Sequence, residues 1–374
     1  MSTPTGPPRL TPRERVEARL LSRAARLSPT TRRRLGERPI VVEGQTLDPA
    51  TQTMLQIQRL AREPLIETLD LAGGRASLRR GSLLTAGRPT PVGAVRDLRI
   101  DGATGPLPAR HYRPPGDADG RPLLVFFHGG GYATGDLDTH DAPCRVLCAH
   151  AGVHVLAVDY RLAPEHPFPA GHEDTLAAWR WAVAHAGELG ADPKRLAVGG
   201  DSAGGNFSAT LALATARNGE RAPDVQLLLY PGIDFVEERP SRQTFGKEFF
   251  LTAPLIEWFL GHYLDGVEHD PRDPRLSPIH AEDLSGLAPA IVVTAGFDPL
   301  RDEGEAYAAA LAAAGVPVIQ RRHASLIHGF INLLGVGTAS REALVETAGT
   351  LRGLLEAPPR RGRRRAPRKA AVGA

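Results

Sequence analysis

Cysteine is scarce in this chain of 374 residues: there are two, Cys144 and Cys148, four apart and expected on one face of a helix. Two thiols supply neither a disulfide framework nor a four-ligand metal site. They read as small buried hydrophobes, and a reducing cytoplasm is the default location. Long apolar runs are also missing. The strongest, around 123–127, falls far short of the ~20 residues that cross a bilayer, so no transmembrane segment is expected. The opening Met1-Ser2-Thr3-Pro4 lacks the apolar core of a secretory signal. There is no internal repeat, and the only low-complexity stretch is the C-terminal tail. The remainder is ordinary for a globular protein, with 42% hydrophobic and 23% charged residues, long enough for one large domain or two small ones.

The formal net charge of +3 conceals an uneven distribution. Residues 1–46 hold ten Arg against four Glu, and residues 357–374 hold six Arg and one Lys with no acid. The body between them, with 28 basic and 38 acidic residues, is acidic. Without aromatic interleaving or a recognisable module, the run from Arg360 to Lys369 reads as a solvated, disordered tail. No specific nucleic acid is expected as a partner. An anchor to nucleic acid or to an anionic membrane is the rival reading of the basic ends.

Residues 1–46 read as a basic extension, partly helical over 10–27, and 47–90 as helical, with one helix over 47–62. From 91 to 356 the pattern changes. Strand-like runs at 95–100, 107–113, 122–127, 153–158, 195–199, 225–230, 290–295 and 316–321 are separated, in the later part, by helices near 140–150, 172–187, 203–217, 303–314 and 340–355. Alternation of this kind predicts an α/β fold with a mostly parallel sheet covered on both faces. The first two strands, with no helix between them, form an antiparallel edge. An aromatic-rich insertion at 232–276 interrupts the order and reads as a lid or pocket wall.

The strand near 195–199 runs into Gly200-Asp201-Ser202-Ala203-Gly204, and a helix follows. Gly-x-Ser-x-Gly at such a junction is a nucleophile elbow, with glycines where strand and helix approach too closely for a side chain. Upstream, a strand ends in His128-Gly129-Gly130-Gly131-Tyr132. A phosphate loop would need Lys-Ser/Thr where Asp136-Leu137 stands, and Thr134 occupies the place of the third glycine of a dinucleotide fingerprint. An oxyanion hole remains, with the amides of Gly129, Gly130 and Ala203 as donors. His128 is expected to orient this loop.

With a serine of this type, acid and base follow on loops after later strands. Asp298 lies just past one strand end and is preferred over Asp302, which has a helix-start position. After the last strand come His323 and His328. His328 precedes a glycine that permits a tight turn and is the expected base, while His323 lies close to the strand and points outward. No histidine and acid cluster has metal-ligand spacing, so neither metal nor cofactor is expected.

Six motifs in order resemble the hormone-sensitive-lipase group of the α/β-hydrolases, also called bacterial family IV. They are His128-Gly-Gly-Gly-Tyr132, Leu137-Asp-Thr-His-Asp141, Asp159-Tyr-Arg-Leu-Ala-Pro-Glu-His-Pro-Phe-Pro169, Gly200-Asp-Ser-Ala-Gly-Gly205, Asp298-Pro-Leu-Arg-Asp-Glu-Gly304 and His328-Gly-Phe330. The resemblance implies a serine carboxylesterase or lipase acting on a small ester under a helical cap built from the N-terminal region and the 232–276 insertion; the aromatic residues of that insertion suggest a pocket for short- to medium-chain acyl groups, with plain packing as the rival reading. It implies structural roles for Asp141, Glu165 and Asp302, and allows a homodimer through edge strands. His323-Ala324-Ser325 departs from the pattern, standing where relatives carry an aromatic, a residue and a glycine. An amide or N-acetyl substrate uses the same machinery, and a non-catalytic binding module could use the same scaffold.

Overall fold

The computed structural model describes residues 8–34 and 38–356. The basic tail at 357–374 lies outside the described residues. Before the main sheet come α1 (Pro12–Ala24), α2 (Pro29–Arg34), the two-residue strands β1 (Val41–Val42) and β2 (Gln45–Thr46), α3 (Pro49–Leu60) and α4 (Leu71–Thr85). Thr11 caps α1 reciprocally with Glu14, and Asp48 caps α3 by accepting from the Thr51 amide.

The antiparallel pair β3 (Ala94–Asp101) and β4 (Pro106–Arg113) opens the main sheet, followed by β5 (Arg121–Phe127) and α5 (Asp141–Ala151). Then come β6 (His154–Val158), α6 (Ala170–His185), β7 (Ala191–Asp201), α7 (Ala203–Asn218) and β8 (Val225–Leu229). The insertion holds α8 (Pro240–Phe245) and α9 (Ala253–Leu264), after which β9 (Ala290–Phe297), α10 (Arg301–Ala313), β10 (Val318–Ile327) and α11 (Ala339–Glu356) complete the chain. The eight strands lie in the order β10-β9-β8-β7-β5-β6-β4-β3, parallel from β10 to β6 and antiparallel at the β4–β3 edge.

The central strands are buried on both faces, which explains their unbroken Val, Leu, Ile and Phe runs. One face packs against α5 and α11 through Val146, Leu147, Leu344 and Leu351. The other receives α6 and α7 through Trp179, Phe207 and Leu211. Cys144 and Cys148 are free and fully buried in α5, as small apolar residues.

One local expectation shifts. The last strand does not stop at 321 but continues to Ile327, with an irregularity between His323 and Ile327. Its exposed Arg321-Arg322 pair sits on a sheet edge, where polar residues are tolerated and the apolar signal fades. In addition, α4 contains Gly73, Gly74 and Gly81, which lower intrinsic helicity. A Cβ on Gly74 would lie 2.9 Å from the Trp258 ring of α9, so close helix packing requires glycine there.

Candidate active site

The sharp turn after β7 puts Ser202 at φ 53° and ψ −117°, a left-handed conformation that costs a non-glycine residue energy. Packing holds it there. The Ser202 amide donates to Leu229 O at 2.9 Å. A Cβ on Gly204 would stand 1.9 Å from Phe127 O, and one on Gly200 would stand 2.4 Å from the same oxygen. Both glycines of the pentapeptide are therefore steric necessities.

The three residues proposed from sequence meet above the strand ends. Asp298 follows β9 and His328 follows β10, each one residue beyond its strand. His328 Nε2 lies 3.0 Å from Ser202 Oγ, and its Nδ1 lies 2.9 Å from Asp298 Oδ2. Asp298 is fully buried, and its other oxygen accepts from the Leu300 amide at 2.8 Å. With the Nδ1 proton directed at the carboxylate, the Nε2 lone pair faces the serine hydroxyl. The competing residues stay apart. Asp302 accepts from the Ser241 amide and pairs with Arg301, each at 2.8 Å. His323 sits within β10 with its ring against Phe330.

The glycine loop requires one correction. The Gly129 amide donates to Asp201 Oδ1 at 2.8 Å and is not free for an oxyanion. The amides of Gly130, Gly131 and Ala203 have no partner among the described residues, and all three residues line the cavity beside Ser202. Gly130 and Gly131 both have positive φ, 124° and 58°, which turns the loop toward the serine. His128 anchors this loop: its Nδ1 is 2.8 Å from Gly129 O, and its own carbonyl accepts from the Tyr160 hydroxyl at 2.7 Å. Burial, followed by the neighbouring His140, lowers the His128 pKa to about 4, so it is neutral at ordinary pH.

Sequence reasoning did not find the part played by Asp201. Burial pushes its pKa up, but His140, 3.1 Å away, and the Gly129 amide outweigh burial and hold the carboxyl below its ordinary value. A charged Asp201 thus fastens the glycine loop to the elbow itself. The clue was the position: Asp201 directly precedes Ser202 at the end of β7, beside the loop that follows β5. Glu303 was also missed. One of its oxygens accepts from the Ile233 amide at 2.7 Å, and burial pushes its pKa up to about 8 against that bond. Around the site, Asp141 accepts from Tyr112 and Arg145, and Glu165 forms a two-pronged pair with Arg75, each bond 2.7 Å.

Ser202 and His328 open into a cavity of about 1340 Å³. Its walls come from the glycine loop and from α1, α3, α4 and α9, with Leu255, Ile256 and Phe259 near the glycines and Leu21 and Met54 farther out. Among the described residues no cluster of three or more His, Cys, Asp or Glu could hold a metal ion. No helix among them is long and apolar enough to cross a membrane.

A family model described as the alpha/beta hydrolase fold matches residues 124–332, more than half of the chain. The chain belongs to the α/β-hydrolase family. Within it, this α/β-hydrolase is 50% identical over 335 residues to the carboxylic ester hydrolase LipN of Mycobacterium tuberculosis, covering 87% of this chain and 89% of the relative. It is 39% identical over 310 residues to an ethyl acetate hydrolase of Pseudomonas putida, covering 80% and 96%. Among solved structures, an ester hydrolase from the metagenome of Lake Arreo, in complex with a bipyridine phosphonate derivative, superposes with a TM-score of 0.79 at 40% identity. That match covers 82% of this chain and 98% of the other. The resemblance to the hormone-sensitive-lipase group read from the motifs stands with these relatives.

Proposed function

We infer that this α/β-hydrolase is a carboxylic ester hydrolase that works through Ser202, His328 and Asp298 by way of an acyl-enzyme. The observation that carries the reading is the continuous hydrogen-bonded chain from Ser202 Oγ through His328 to Asp298, opening into a large, mainly apolar cavity. His328 Nε2 takes the hydroxyl proton as Ser202 Oγ attacks the ester carbonyl carbon. The resulting oxyanion is held by the amides of Gly130, Gly131 and Ala203, each worth on the order of 3 kcal/mol in this role. Asp298 keeps the imidazole in its tautomer and stabilises the imidazolium. Collapse breaks the bond to the alkoxy oxygen, which leaves with the proton from His328. Water, deprotonated by the same histidine, then releases the acid and restores the serine.

Residues 47–90 and 232–276 form the cap in this reading, with α1 of the N-terminal extension joining it, over a catalytic domain of 91–356. The aromatic side chains Phe259 and Phe250 in the cavity wall support short- to medium-chain acyl groups. The test is hydrolysis of p-nitrophenyl esters from acetate to palmitate, beside fluorophosphonate labelling with Ser202→Ala as control. Turnover that peaks at short or medium chains, with labelling lost in the variant, is the expected result. Labelling without ester turnover would redirect the substrate to amides, and no labelling would favour a binding module.

A further inference from the structure

Eight large hydrophobic side chains are exposed among the described residues, and six belong to three segments that share the cavity: Val16, Leu20, Ile57, Leu60, Leu65 and Phe250. Four of these, Leu20, Ile57, Leu65 and Phe250, line the cavity itself. Leu60 is 83% exposed, Leu65 60%, Leu20 58% and Val16 54%. Scattered single exposures need no explanation, but concentration of most of them at one opening does.

The charges around this opening divide by location. Several of those lining the cavity are matched: Arg80 pairs with Glu17 and Glu63, Arg13 with Glu17, and Arg59 with Glu248. Those on the outside are not. Arg15, Arg19, Arg23, Arg26 and Arg62 are exposed and have no acidic partner among the described residues. On α1 the outward Val16 and Leu20 are one helical turn apart, flanked by Arg15, Arg19 and Arg23, while the opposite side packs on α3 and α4. Apolar side chains bordered by unpaired arginines on a helix lying flat on the protein surface match the physics of an interfacial helix.

We propose that this rim, formed by α1 and the exposed 57–65 segment, docks on an anionic lipid surface, so that ester lipids pass from that surface directly into the cavity. The apolar side chains enter the headgroup boundary, and the unpaired arginines meet lipid phosphates. The substrate part of the proposal rests on the ester-hydrolase reading; the docking part does not, because binding is read without turnover.

The test is co-flotation of the full chain with vesicles of phosphatidylcholine and phosphatidylglycerol, compared with phosphatidylcholine alone. Turnover of a water-soluble short-chain ester is measured on the same samples. The expected result is binding to the anionic vesicles that weakens as salt rises. Val16→Asp with Leu60→Asp, two positions outside the cavity lining, should reduce the bound fraction about fivefold or more and leave soluble-ester turnover unchanged. Arg19→Ser with Arg23→Ser should act in the same direction. Deleting 357–374 should leave binding in place. The proposal is overturned if anionic vesicles are not bound, if binding disappears with the tail while the rim variants bind normally, or if the rim instead joins two copies of the chain, seen as a dimer that the rim variant dissociates. Loss of soluble-ester turnover in Ser202→Ala with vesicle binding intact would keep the two readings separate.

Discussion

At the ends of β5 and β7 the backbone is so crowded that an added methyl group has nowhere to go, whereas α1 and α4, on the far side of the same cavity, add ion pairs of partly exposed side chains to their apolar contacts. The Gly204 position lies 1.9 Å, Cβ to oxygen, from the Phe127 carbonyl. By contrast, α4 is joined to the loops around the glycine turn by Arg75–Glu165 and by Arg79 with Asp136 and Asp138. Close packing fixes positions to fractions of an ångström because repulsion rises steeply. Partly exposed ion pairs are screened and tolerate adjustment. Ser202 and the glycine loop sit in the first kind of environment, while α4 meets the loops around them partly through the second.

Substitutions on each side of the cavity separate the two kinds of environment. Ser202→Ala should lower ester turnover by about 10⁴-fold or more with an unchanged melting curve, because it removes the proposed nucleophile and leaves the packing intact. Near-normal hydrolysis would end the triad assignment. Gly204→Ala should destabilise the fold by about 3 kcal/mol or more in chemical denaturation, since neither Phe127 nor the elbow can move without the other.

Glu303 provides a test of the buried floor by pH. Its carboxyl keeps its proton in the folded chain up to about 8 but loses it near 4.5 when exposed. Between those values the unfolded state has released a proton that the native state retains, so the group's contribution falls as pH rises. Melting the native protein and Glu303→Gln from acid to mildly alkaline pH should show the native curve losing on the order of a few kcal/mol relative to the variant across that window. Parallel curves would mean that Glu303 is already ionised in the fold.

Asp201→Asn keeps size and one acceptor but removes the charge that holds the Gly129 amide. A fall of about tenfold in kcat with little change in KM is expected, through a loosened oxyanion loop. The smallest effect belongs to the cover: a double-mutant cycle on Arg75 and Glu165, both partly exposed, should give a coupling of about 1 kcal/mol or less. A much larger value would mean that the cover is as rigidly specified as the elbow.

Residues whose role depends on local sterics were legible in the sequence. Glycines at 200 and 204 announced a tight strand-to-helix turn, and unbroken apolar runs announced doubly covered parallel strands. Asp298 and His328 could be chosen over Asp302 and His323 from their places relative to strand ends. Less legible were features that depend on what another segment places nearby. The need for glycine at position 74 shows only once Trp258 is seen against it. Gly129 reads as an oxyanion donor until the Asp201 carboxylate is found on its amide.

Periodicity and turn sterics act over a few residues, so the order of strands and helices and the tight turn at Ser202 can be read from the chain alone. Which amides remain free at the serine, why burial pushes the Glu303 carboxyl toward its protonated form and where the basic N-terminal helix presents its apolar side chains follow from packing. Those outcomes depend on burial and hydrogen bonding between segments far apart in the chain, where desolvation and the choice of partner are settled by packing.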